Sequence, residues 1–278
     1  MTMNFPIEFT KMSGTGNDFI IIDHRQPFLA REEMGAFARA VCRRKFSVGA
    51  DGLILIENSD RADFRWHFYN GDGSEAEMCG NGARCAARFA HSRGIAPAKM
   101  SFLTVAGIIR AEVQESGVRI AMTAPADLAL NREVELDGAR QRVHFLNTGV
   151  PHAVCFVNGN NNTPVKAWGA AVRFHQLFQP AGANANFVEV LGPDALHVRT
   201  YERGVEDETM ACGTGAVAAA VIAGILGLVQ APVKVTTSGG ELLTIHFTLA
   251  DDGKIMDVFL EGPARFIYDG QLNAEAML

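Results

Sequence analysis

At 278 residues, 48% of them hydrophobic, the chain can build one large or two medium domains with substantial cores. A net charge of −6 without runs of like charge excludes an electrostatic footprint for nucleic acid or an anionic membrane, so a small molecule is the expected partner. Met1 to Pro6 has neither the basic flank nor the apolar run of a signal peptide. The apolar stretch Ala216 to Val229 is shorter than the roughly 20 residues of a membrane span and reads as a helix buried on all sides.

In chain order, Ile7 to Met12 reads as a strand, Ser13 to Asp18 as a turn and Phe19 to Ile22 as a buried strand. Arg31 to Arg44 carries Met34, Phe37, Ala38 and Val41 at helical spacing. The glycine-rich turn Ser47 to Gly52 leads into a strand over Leu53 to Ile56. Another strand, Phe64 to Tyr69, ends in the loop Asn70-Gly-Asp-Gly73. A small-residue helix follows from about Gly82 to Arg93, with Gly94 as its stop.

Much of this recurs 133 residues later. Glu75-Ala-Glu-Met-Cys79-Gly-Asn-Gly-Ala is matched by Glu208-Thr-Met-Ala-Cys212-Gly-Thr-Gly-Ala, and seven of the twelve positions from Cys79 to Ala90 are identical at this offset. Thr15-Gly16 falls on Thr148-Gly149, Gly49-Ala50 on Gly182-Ala183, Gly71 on Gly204 and Gly94 on Gly227. Such ungapped agreement points to a duplicated α/β (α+β) chain of two pseudo-symmetric domains, residues 1–126 and 127–263. Each is a twisted, barrel-like, mostly antiparallel sheet around its own helix. The strand-like tail Arg265 to Tyr268, within 264–278, is placed to rejoin the first half.

Five cysteines without CxxC pairs indicate neither a disulfide framework nor a zinc site, and fit reduced thiols in a cytoplasm. Cys42, Cys85 and Cys155 lack repeat partners and read as small buried hydrophobes. Cys79 and Cys212 stand at equivalent helix mouths, where unpaired N–H groups favour thiolate and cradle a carboxylate. Two such thiols facing each other across a cleft would remove a proton from one side of an α-carbon and return one from the other, with neither pyridoxal nor metal. His152 follows a proline expected near the cleft, and Glu75 and Glu208 precede the cysteines at equivalent offsets; all three could tune the thiols, with a structural hydrogen bond the favoured reading for His152 and helix-approach roles the competing one for the glutamates.

The stretches Lys11 to Phe19, Gly49-Ala-Asp-Gly52, Asn70 to Glu75, Met78-Cys-Gly-Asn-Gly-Ala-Arg84, Pro151-His-Ala-Val154, Tyr201-Glu-Arg-Gly204 and Ala211 to Ala216 resemble the diaminopimelate epimerase family over essentially the whole chain. The resemblance implies cofactor-independent interconversion of LL- and meso-2,6-diaminopimelate on the route to lysine and peptidoglycan. Cys212 would be the proton acceptor and Cys79 the donor in one direction. It implies substrate binding by Asn17, Asn70, Gly80, Asn81, Asn184, Glu202, Arg203, Gly213 and Thr214, and assembly as a homodimer. The chain departs from the family in carrying Gly52 in place of an amide and Val150 in place of an asparagine, and in a loop from Gly204 to Thr209 one residue longer. A two-cysteine racemase of proline, hydroxyproline or another amino acid is the alternative enzyme. A protein with a switchable Cys79–Cys212 disulfide is the alternative outside enzymes.

Overall fold

The computed structural model describes residues 3–115 and 117–278. The chain divides into two compact units, Met1–Ile120 with Gly262–Leu278, and Ala121–Glu261. The first junction falls at Ile120 rather than at residue 126 because the Met122 amide already donates to Val258 O of the second unit.

The first unit contains β1 (Ile7–Gly14), β2 (Asn17–Asp23), α1 (Arg31–Val41), β3 (Gly52–Glu57), β4 (Phe64–Asn70), α2 (Gly80–Ser92), β5 (Lys99–Thr104), β6 (Gly107–Val113) and β7 (Val118–Ala121), whose last residue begins the second unit. The second contains β8 (Ala126–Leu136), β9 (Ala139–Asn147), β10 (Pro151–Phe156), α3 (Val165–Arg173), β11 (Asn184–Gly192), β12 (Ala195–Glu202), β13 (Asp207–Thr209), α4 (Gly213–Ile225), β14 (Val233–Thr237), β15 (Leu242–Leu249) and β16 (Ile255–Gly262). The C-terminal β17 (Arg265–Leu272) returns to the first unit and pairs antiparallel with β1.

Strand order in the first unit is β17-β1-β2-β3-β4-β5-β6-β7, with parallel pairing at β2–β3 and β4–β5 and antiparallel pairing elsewhere among the described residues. The second unit repeats it as β8-β9-β10-β11-β12-β14-β15-β16, parallel only at β10–β11 and β12–β14, with β13 folded back on β12. Thus β8 holds in the second unit the place that the distant β17 holds in the first. The 133-residue offset carries α2 onto α4 without a shift at either end.

Alternation explains the layers. On β2 and β3, Ile20, Ile22, Leu53 and Leu55 pack with Met34, Phe37 and Val41 of α1. Phe19 and Ile54, on the opposite face, lie beside Gly82 of α2. A sheet covered on both faces needs the continuous apolar runs Phe19–Ile22 and Leu53–Ile56, all fully buried. In the second unit the cluster of Val165 and Val172 of α3 with Ala153, Cys155, Ala185, Phe187 and Tyr201 does the same. Gly169 lets α3 approach β12 so closely that a Cβ there would meet the Tyr201 ring atoms at 2.5 Å.

Three local expectations shift. The turn over Ser13 to Asp18 narrows to Thr15-Gly16, because the β1–β2 ladder continues through Gly14↔Asn17. The first long helix stops at Val41, and α2 begins at Gly80 because Cys79 caps it. The apolar run ending at Val229 is helical only to Ile225. Gly227 turns left-handed at φ +70° and Leu228 is exposed, whereas Gly215 to Ala223 is buried throughout. Among the described residues no helix is long and apolar enough to cross a membrane.

Candidate active site

Cys79 and Cys212 are the N-cap residues of α2 and α4, both extended (φ −145° and −123°) and each accepting the first intrahelical bond through its carbonyl, from Ala83 and Ala216. In the first unit the sulfur itself serves as the cap, accepting from Gly82 N at 3.4 Å. In the second, the Sγ of Cys212 lies 3.6 Å from the Thr214 hydroxyl. The other three cysteines are buried: Cys42 closes α1, Cys85 lies inside α2 and Cys155 lies in β10. Cys79 and Cys212 are the two that are only partly buried.

Their electrostatics differ from the expectation of a thiolate. Burial pushes the Cys79 thiol above its usual value, against the lowering effect of the Gly82 and Asn81 amides. Burial also pushes Cys212 up to about 11, helped by the nearby Glu202 carboxylate and opposed by the Thr214 hydroxyl and the first helix amides. The helix mouth acts in the expected direction, and desolvation outweighs it. Both sulfurs therefore rest as neutral thiols at neutral pH. Iodoacetamide labelling of Cys212, followed by mass spectrometry, should accelerate about tenfold per pH unit between about pH 7 and 9 without levelling, since only thiolate reacts. A plateau near neutrality would contradict a desolvated thiol.

Around Cys79 the first unit gathers Asn81, Asn17 and Asp51. Asn81 Nδ2 donates to Asn17 Oδ1 at 2.8 Å, and Asn17 Nδ2 donates to Asp51 Oδ2 at 3.0 Å. Asn70, at the exposed end of β4, donates to Ser74 Oγ at 3.0 Å. Asp51 and Asp18 share Arg44, and Lys11 binds Asp18 at 2.9 Å; Arg44 and Lys11 hold the Asp18 carboxyl below the usual range against its partial burial. Gly52 has no room for the missing amide, since a Cβ would meet the Phe68 ring at 2.6 Å and Tyr69 O at 2.8 Å.

Around Cys212 the second unit gathers Thr214, Glu202, Arg203, Asn184 and His152. Asn184 is buried and spent on backbone, donating to Pro151 O at 3.1 Å and accepting from Arg203 N at 2.7 Å, so it sets the path of the chain that carries Glu202 and Arg203. The Arg203 guanidinium donates to Ala181 O at 3.1 Å. Burial raises the Glu202 pKa. His152 is fully buried, and desolvation together with the charge of Arg203 drives its pKa down to about 3. Its Nδ1 lies 3.1 Å from Asn186 Nδ2, which donates, so the ring is neutral with its proton on Nε2.

Glu75 and Glu208 are engaged elsewhere. Arg31 binds Glu75 at 2.7 Å, and Arg199 grips Glu208 through two bonds of 2.8 and 2.6 Å, with Ser238 adding a third at 2.7 Å. Both glutamates anchor the approach to a capped helix by an arginine pair. Sequence reasoning missed Asp51 as a partner of Asn17 and Arg84 as a partner of Asn81. Both stand inside the glycine motifs, and that placement was the available signal.

Against known proteins, the family model described as diaminopimelate epimerase matches residues 9–128 and 144–267. The chain is 48% identical to the diaminopimelate epimerase of Aquifex aeolicus over 282 aligned positions, covering 98% of this chain and 99% of that one. It is 44% identical to that of Chlorobaculum tepidum, covering 94% and 100%. Among solved structures, a Bacillus anthracis phenazine biosynthesis protein of the PhzF family has a TM-score of 0.71 at 16% identity, covering 97% of this chain and 100% of that one. A hydroxyproline epimerase from Agrobacterium vitis has a TM-score of 0.65 at 14% identity, covering 99% and 94%. These two share the fold. The full-length identities and the family match show that the chain belongs to the diaminopimelate epimerase family.

Proposed function

We propose that the protein is an isomerase that interconverts LL- and meso-2,6-diaminopimelate by exchanging the proton of one α-carbon, with Cys79 and Cys212 as its acid and base and no cofactor. The observation that carries this reading is the full-length likeness to diaminopimelate epimerases, with a half-buried cysteine capping the same helix in both units. The hydroxyproline alternative has only a likeness of fold behind it.

The α-proton of an amino acid is a very weak acid, so charge arriving on the substrate carboxylate must be met by fixed donors. The first amides of α2 and α4, at Gly80, Asn81, Gly213 and Thr214, have no intrahelical acceptor and fill that role. In one direction Cys212 takes the proton as thiolate and Cys79 gives one as thiol, and the roles reverse in the other. A thiol pair that rests neutral must pass one proton to solvent as substrate binds, leaving one thiolate and one thiol. Glu202 faces this step with a carboxylate already destabilised by burial, and an ammonium group of the substrate offsets that cost. Arg203 supplies the cation for the distal carboxylate, and Asn17, Asn70 and Asn184 orient the polar ends or the loops that meet them. Working thiols must stay reduced, and a reducing compartment such as the cytoplasm suits that need.

Incubation of LL-diaminopimelate in heavy water tests the reading. The expected result is early meso product carrying solvent deuterium at its one inverted α-carbon, followed in time by an equilibrium mixture of LL and meso forms. Racemisation of proline or hydroxyproline with diaminopimelate untouched would overturn it.

A further inference from the structure

Arg84 is the largest fully buried side chain of the described structure, one helical turn inside α2 from the Cys79 cap. Its Nη2 donates to Asn81 Oδ1 at 2.6 Å and to Thr15 Oγ1 at 2.7 Å, and its Nε donates to Pro263 O at 3.3 Å. We propose that Arg84 is a positioning residue that sets the direction of a one-way hydrogen-bond chain, Arg84→Asn81→Asn17→Asp51, and thereby fixes which atoms the two asparagines turn toward the substrate. The proposal rests on the epimerase reading for the roles of Asn17 and Asn81.

The two ends leave one solution. A guanidinium only donates and a carboxylate only accepts. Between them, Asn81 must put Oδ1 on Arg84 and Nδ2 on Asn17, and Asn17 must put Oδ1 on Asn81 and Nδ2 on Asp51. Turning either amide over would set NH2 against guanidinium or carbonyl oxygen against carboxylate. Asn81 spends both amide hydrogens, on Asn17 Oδ1 at 2.8 Å and Thr15 O at 3.3 Å, so its side chain has no donor left for the ligand, only the second lone pair of Oδ1. Asn17 keeps one N–H beyond its bond to Asp51. The chain thus presents at Asn17 a donor of fixed direction, suited to a substrate oxygen. Arg44 holds the far end by binding Asp51 at 2.8 Å.

The device belongs to one unit. At the equivalent places the second unit has Val150, Asn184, Thr214 and Val217 in place of Asn17, Asp51, Asn81 and Arg84. There the Thr214 hydroxyl turns to the Cys212 sulfur and Asn184 serves the backbone of Arg203. One half keeps a rigid polar chain beside its thiol while the other has exchanged it for apolar packing and a loop anchor.

A double-mutant cycle in the epimerase assay tests the chain. Asn81→Ala and Arg84→Met should each raise KM about tenfold with kcat within about threefold, and the double variant should match Asn81→Ala alone within about threefold, because Arg84 acts through Asn81. Losses that multiply, or a fall in kcat that persists in the Asn81→Ala background, would overturn the proposal. Arg84→Lys, which keeps a buried cation and a donor, replaces the Met variant if that does not fold, and should fall between wild type and Asn81→Ala. Independently of turnover, 15N-labelled protein without substrate should show slowly exchanging side-chain amide signals for Asn81 and Asn17. Those signals should shift and exchange faster in the Arg84 variant, and unchanged signals would remove the chain as an explanation. A wild-type enzyme unable to epimerise diaminopimelate would count against the substrate, while the amide spectra still judge the chain.

Discussion

Exchanging Cys79 for alanine should lower epimerisation by about three orders of magnitude or more, and Cys212→Ala should do the same. Each direction needs one group to remove the α-proton and a second to deliver another from the opposite side. Losing either sulfur therefore stops both directions, and the variants fall in kcat far more than in KM. The fold should bear the change well. Both residues are half-buried, and the bond that Gly82 N loses in the first variant, 3.4 Å to sulfur, is to a weak acceptor. Unfolding midpoints should stay within a few degrees of wild type, which separates lost chemistry from lost structure. Cys42→Ala supplies the contrast. That sulfur is buried in the α1 core with its thiol pushed up to about 12, so its removal costs stability and leaves the turnover of the folded enzyme near normal. Near-normal kcat in either helix-cap variant would end the two-base scheme.

The state of these thiols marks the limit of what the chain reveals by itself. That Cys79 and Cys212 cap equivalent helices is a local matter of spacing and small residues, legible from the repeat. That burial outweighs the helix mouth depends on packing contributed by many distant residues, and no window of sequence contains it. The same contrast separates the glutamates from their function. Glu75 and Glu208 stand at matching offsets from the thiols, yet each is taken by an arginine on another element, Arg31 of α1 and Arg199 of β12. The strands of the first half up to Tyr69 could be read from apolar runs and glycine turns, and the second half reads as its repeat. The correspondence of β8 with β17 could not be read, because the two fill one topological place, β8 from the middle of the chain and β17 from its C-terminal region, and share no motif. Gly52 and Val150 were visible as departures, but it takes the Phe68 ring and the Tyr69 carbonyl packed over Gly52 to explain why an amide has no room there.

Gly215→Ala should cost about 3 kcal/mol of stability and lower kcat at least tenfold, whereas Gly82→Ala, its repeat counterpart, should change stability by less than about 1 kcal/mol. Both glycines are the second of a Gly-x-Gly pair at the start of a helix, and sequence gives no ground for telling them apart. A Cβ on Gly82 would rest 3.4–3.5 Å from Ile54, Phe19 and Trp66, an ordinary apolar contact. A Cβ on Gly215 would meet Asn186 Oδ1 at 2.3 Å, with Cys212 Sγ and Thr200 Oγ1 each at 3.3 Å. Asn186 has nowhere to go. It is fully buried, donates to His152 Nδ1 at 3.1 Å and Ala153 O at 3.0 Å, and accepts from Thr200 at 2.9 Å, so moving it leaves buried polar atoms without partners. The alternative is for the first turn of α4 to move outward, carrying Cys212 with it. A displacement of even a few tenths of an ångström at a proton-transferring sulfur lowers kcat, because the reacting atoms must be brought to a near-attack separation. Calorimetry should show a Tm lowered by roughly 5–10 °C for Gly215→Ala. Equal behaviour of the two glycine variants would mean that Asn186 does not fix the start of α4, and that the second thiol is positioned by something other than this buried amide.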